Sequence, residues 1–122
     1  MRLHVAAGMA ALVLGVCVVG GCNSTLTSPD RWSAPPDAVV IDILQMNGDR
    51  SFSPSRASVP AGRTVVWHNL DFNVHHVVVD ADGLDTGDIR PGAFSAPIEP
   101  GADGRYHCTI HPSMVGALKS DR

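Results

Sequence analysis

The sequence predicts an all-β fold, a β-sandwich of about seven to eight short strands. Three observations lead there. From Val39 onward apolar and polar residues alternate at period two. Glycine, proline, asparagine and aspartate interrupt that pattern every eight to twelve residues or so, a spacing suited to short strands joined by turns. No stretch carries a helical period of apolar residues.

In the first strand Val39, Ile41 and Ile43 fall on one face, with Val40 and Asp42 on the other. Further strands are expected over residues 50–53, 57–59, 63–68, 74–80, 93–96, 105–109 and 115–120. The turns between them are supplied by Asn47-Gly48-Asp49, Pro60-Ala61-Gly62, Asp82-Gly83, Pro91-Gly92, and Pro100-Gly101 with Asp103-Gly104. These strands all lie within residues 37–122, a stretch of 86 residues. A chain of that size buries roughly 60–65% of its unfolded surface, enough for one modest two-layer core.

The first 36 residues are unlike the rest. Residues 1–22 read as an export signal: Arg2 gives a positive start, residues 6–19 are an apolar run, and Gly20-Gly21 supplies small residues before a cleavage point. The run is too short for a membrane span, which needs about 20 apolar residues. Val19-Gly20-Gly21-Cys22 resembles the lipobox of bacterial lipoproteins, and that resemblance implies lipidation of Cys22 at the new N-terminus. Two or more acyl chains make such an anchor stable where one is marginal. Residues 23–36 are polar, proline-bearing and aperiodic, a tether that spans about 20 Å as flexible coil and lets a domain swing clear of a surface.

Charge and cysteine usage narrow the partners. From Cys22 onward eight Lys and Arg stand against twelve Asp and Glu, a net charge of −4, which argues against nucleic acid. Eleven of the twelve acids are Asp; Asp80, Asp82, Asp85 and Asp88 read as turn residues that bond their own backbone, with an acidic face toward a basic partner as the alternative. Cys17 leaves with the signal and Cys22 carries lipid, so Cys108 stands alone in an oxidising setting where cysteines are usually paired. A metal ligand is the economical explanation.

The segment Cys108-Thr-Ile-His111-Pro-Ser-Met114 sets a thiolate, an imidazole and a thioether at three-residue spacing, with His75-His76 about thirty residues upstream. Soft sulfur donors suit Cu(I), imidazole suits both copper oxidation states, and two His with one Cys and a weak Met describe a mononuclear type 1 copper site. A structural zinc site wants four strong ligands, which a methionine is not. Strand alternation turns His75 with Val77 and Val79 to one face and His76 with Val78 and Asp80 to the other, so only one of the two histidines can face a metal. By the same rule Tyr106 and Cys108 share a face and His107 takes the opposite one.

Taken together, Val65-Val66-Trp67-His68-Asn69, then His75-His76-Val77, then Tyr106 to Gly116 resemble the cupredoxins, most closely the plastocyanin, pseudoazurin and amicyanin group. Phe52-Ser53-Pro54 and Ala61-Gly62-Arg63-Thr64 extend the likeness over residues 52–118. The resemblance implies a Greek-key β-sandwich, one copper ion, and His75, Cys108, His111 and Met114 as its ligands; family members often carry Asn or Thr where His76 stands. It also implies one-electron transfer outside the cytoplasm, Cu(I) to Cu(II) and back, with donor and acceptor proteins docking on an apolar patch to which Ile110, Pro112 and Val115 contribute. The expected protein is a monomer, anchored through Cys22 and facing a periplasm or the cell exterior. The alternative is a carrier that hands copper to another exported protein. An enzyme is disfavoured by the single ligand set, and a dinuclear centre by the single available cysteine.

Overall fold

The computed structural model describes residues 33–121. The export segment with Cys22, and the tether as far as residue 32, lie outside the described residues. Eight strands run in chain order: β1 (Val39–Ile43), β2 (Phe52–Ser53), β3 (Arg56–Pro60), β4 (Val65–Asn69), β5 (His75–Val79), β6 (Asp85–Ile89), β7 (Gly104–Cys108) and β8 (Val115–Asp121). They form a three-stranded sheet, β2-β1-β4, and a five-stranded sheet, β3-β8-β7-β5-β6. Parallel pairing of β1 with β4 and of β3 with β8 leaves the remaining ladders antiparallel.

Alternation does what the sequence requires of it. Ile41 and Ile43 of β1, Ala57 and Val59 of β3, Val77 and Val79 of β5, Tyr106 and Cys108 of β7 and Leu118 of β8 all face one core and are buried. Three rings tie the sheets together across it. Tyr106 meets Phe52 edge-on at 4.8 Å between centroids and Trp67 edge-on at 5.3 Å, contacts worth about 0.5–1.5 kcal/mol each beyond the area they bury. Burial without a charged neighbour pushes the Tyr106 phenol above its ordinary value. Tyr106 fits because residue 116 is a glycine: a Cβ there would fall on the Tyr106 ring.

Three expectations are corrected. Residues 85–89 form strand β6, so Asp85 and Asp88 belong to a strand rather than a turn. Only Ile89 of β6 is buried, and a bulge between His76 and Val78, opposite Gly87 at φ 66°, breaks the period. Residues 93–96 form no strand; they touch β4 through the single bridge between His68 and Phe94, and the Ser95 hydroxyl accepts the Trp67 N–H at 2.9 Å in place of a backbone carbonyl. Residues Gly48–Arg50 make a 3-10 turn, leaving only Phe52–Ser53 as strand.

The topology sorts the two ends of the sandwich. Parallel register sets Ile43 beside Asn69 at one pole and Val39 beside Val65 at the other. The loop 70–74, the end of β7 and the start of β8 all lie at the first pole; Val39, where the N-terminal segment enters, and Asp121, opposite Pro60, lie at the second.

Candidate metal centre

Two donors sit at strand termini, and the turn that joins two strands carries the others. His75 opens β5 and Cys108 closes β7, with Cys108 opposite Val77 in the ladder between them. Both side chains point into the core and both residues are fully buried. The turn that follows Cys108 is closed by its own backbone: Met114 N–H donates to the His111 carbonyl at 2.9 Å, and Cys108 N–H donates to the Met114 carbonyl at 3.1 Å. Thr109 N–H donates to the His76 carbonyl at 2.8 Å and so ties this turn to β5. His111 is thereby folded back beside Cys108, half-buried, while Met114 is buried immediately before β8.

The geometry is compact. Cys108 Sγ lies 3.7 Å from His75 Nδ1 and 3.8 Å from His111 Nδ1. The three donor atoms lie within 4.8 Å of one another, and the two imidazole rings are 5.1 Å apart between centroids. An ion bonded to sulfur at about 2.3 Å and to nitrogen at about 2.05 Å, at trigonal to tetrahedral angles, needs those atoms roughly 3.6–3.8 Å apart. The observed separations meet that requirement, and a thiolate with two imidazoles is a donor set suited to copper.

His76 is turned the other way. Its Nδ1 lies 3.1 Å from Asp88 and its Nε2 3.4 Å from Asp85, both on the outer face of the sheet. Its backbone N–H, however, donates to Cys108 Sγ at 3.5 Å. His107 also faces outward and pairs with Asp80 at 2.6 Å. His68 stacks on Phe94 and pairs with Asp42 at 3.3 Å, away from the donors.

One neighbour of the donors is absent from the sequence reading. Asp71 Oδ2 lies 2.9 Å from His75 Nε2. Burial raises the Asp71 carboxyl, but hydrogen bonds from His75, Asn73 and the Phe72 N–H outweigh it and hold the group below its ordinary value. The only signal in the sequence is an acid four residues before a histidine, within a loop where aspartate commonly serves as a turn former.

No protein-family profile matches the chain. Among curated proteins it is similar to amicyanin of Paracoccus denitrificans, with 25% identity over 122 aligned positions that span 86% of this chain and 90% of that protein. Among solved structures it is similar to amicyanin from Paracoccus versutus, with TM-score 0.60 and 25% identity over 73% of this chain and 86% of that one. A purple cupredoxin from Nitrosopumilus maritimus aligns with TM-score 0.56 and 26% identity over 70% of this chain and the whole of its own. Two sheets of the same architecture, with a cysteine and two histidines converging at one pole, make this chain a cupredoxin in fold.

Proposed function

We propose that the domain is a type 1 copper protein that carries single electrons outside the cytoplasm, with His75, Cys108, His111 and Met114 as ligands. The observation that carries this reading is the placement of the Cys108 sulfur 3.7 and 3.8 Å from two imidazole nitrogens. Copper bound there supplies a couple between Cu(I) and Cu(II). The chain supplies the rest. His75 and Cys108 sit on strand ends of one sheet packed against a second, and His111 and Met114 on the short turn after Cys108, so few torsions are free to change when the charge at the site changes. Buried side chains exclude water from His75, Cys108 and Met114. The His76 N–H stabilises the thiolate by hydrogen bonding to it.

His111 is the donor with exposed surface, and it follows Ile110, which is 49% exposed. Leu70 and Phe72, on the loop 70–74 at the same pole, are 51% and 94% exposed. These apolar groups favour docking of redox partners at this pole, with electrons passing at the His111 edge. Delivery of copper to another protein would require donors that a partner can reach, and three of the four have no exposed surface. The function is electron transfer rather than catalysis.

The visible spectrum of the oxidised, copper-loaded domain tests the assignment. An intense thiolate-to-Cu(II) band that disappears in Cys108→Ser is the expected result; a colourless protein, or a blue Cys108→Ser variant, ends it. Attachment to a membrane through lipid on Cys22 is part of the same proposal, supported by Val19-Gly20-Gly21-Cys22. Release of the full chain from membranes in Cys22→Ala is the expected outcome.

A further inference from the structure

Two neighbours divide the His75 ring between them. Nδ1 faces the Cys108 sulfur, and Nε2, on the far side of the ring, faces the Asp71 carboxylate at 2.9 Å. An ionised carboxylate only accepts, so the proton of the neutral ring resides on Nε2 and the lone pair resides on Nδ1, toward the sulfur. The pair is shielded from water, with the His75 side chain fully buried and the Asp71 side chain 10% exposed.

Asp71 is itself held by its surroundings. Its Oδ1 accepts the Phe72 N–H at 2.7 Å and its Oδ2 accepts from Asn73 Nδ2 at 3.2 Å. Its own N–H donates to Asn69 Oδ1 at 2.9 Å, and buried Asn69 donates in turn to the carbonyls of Asn73 at 2.7 Å and Ile89 at 2.9 Å. A loop that only needed to turn would not require a carboxylate against a buried imidazole. The loop is built to hold a negative charge at a fixed point behind one donor.

We infer that Asp71 is a positioning residue for the metal: through His75 Nε2–H it fixes Nδ1 as the donor and makes that donor more basic, favouring Cu(II) over Cu(I). The inference rests on the type 1 copper reading. Partners of this kind behind a ligating histidine typically contribute about 10–100-fold in metal affinity. A fixed negative charge stabilises the more highly charged ion more, so the oxidised state gains the larger share.

Asp71→Asn retains the size and an acceptor oxygen but removes the charge; Asp71→Ala removes the acceptor as well. In the copper-loaded protein, Asp71→Asn is expected to weaken Cu(II) binding about tenfold relative to Cu(I), seen as a potential raised by about 59 mV for one electron. In the metal-free protein, nitrogen-15 NMR is expected to show His75 protonated at Nε2 in the native chain and a mixture of tautomers in Asp71→Ala. An unchanged potential in Asp71→Asn, or a native His75 protonated at Nδ1, overturns the inference. The NMR readout involves no metal, so a native protein that never turns blue defeats the copper reading separately, and the tautomer result stands even if Asp71→Ala fails to fold.

Discussion

The backbone of His76 faces the Cys108 sulfur while its ring faces the opposite side of the sheet, toward Asp85 and Asp88. Strand geometry produces this division, because a residue whose side chain points out can still direct its N–H across to a neighbour. His76→Ala is therefore expected to keep the blue band and the copper, changing stability by no more than about 0.5 kcal/mol, as is usual for exposed ion pairs. His75→Ala is expected to lose the band. Spectra of the two variants side by side decide which histidine holds the metal.

Met114 is buried immediately before β8, on the turn that also carries His111. Met114→Gln replaces a soft thioether with a harder oxygen donor, which favours Cu(II). Copper is expected to remain bound with a potential lowered by at least about 59 mV, equivalent to a tenfold change in relative affinity for the two oxidation states. Voltammetry that finds the native potential would remove Met114 from the site.

Gly116 leaves the space that the Tyr106 ring occupies. Gly116→Ala is expected to destabilise the metal-free domain by about 1–3 kcal/mol through overpacking. Urea unfolding at matched pH measures this; an unchanged midpoint would mean that the ring has room to move. Because Tyr106 also packs against Phe52 and Trp67, the displacement would be felt in both sheets.

Ile110 stands half-exposed immediately before His111. Ile110→Lys is expected to slow electron self-exchange between two copies by about tenfold or more, since encounter at this pole then brings like charges together. Line broadening in NMR of partly oxidised protein reports that rate, and the visible spectrum should not change. An unaltered rate would place the encounter surface elsewhere.

Much of this architecture was legible because it is encoded locally. Cys108 and His111 lie three residues apart in one short segment, so their spacing alone brings sulfur and imidazole within 3.8 Å. The alternation of β1, β3 and β5 announces their inward faces. Strand β6 was not legible: Asp85-Thr86-Gly87-Asp88-Ile89 has one inward apolar residue and a bulge, and it is ordered by pairing with β5 rather than by its own pattern. As an edge strand it also profits from outward aspartates, which discourage pairing with other chains. The segment 93–96 shows the converse, an alternating pattern whose ladder is interrupted because a Ser95 hydroxyl takes the Trp67 N–H. Asp71 was hidden because its role depends on the ring of His75 folding back over a loop, a relationship that spacing does not report.

The chain enters β1 at Val39 and leaves β8 at Asp121, both at the pole opposite His75 and Cys108. The donors and the two ends of the strand framework are therefore separated by the length of a five-residue strand, roughly 15 Å. A carrier fused ahead of Val39 would accordingly join the domain at the end remote from His111 and leave the donor end open to a second protein.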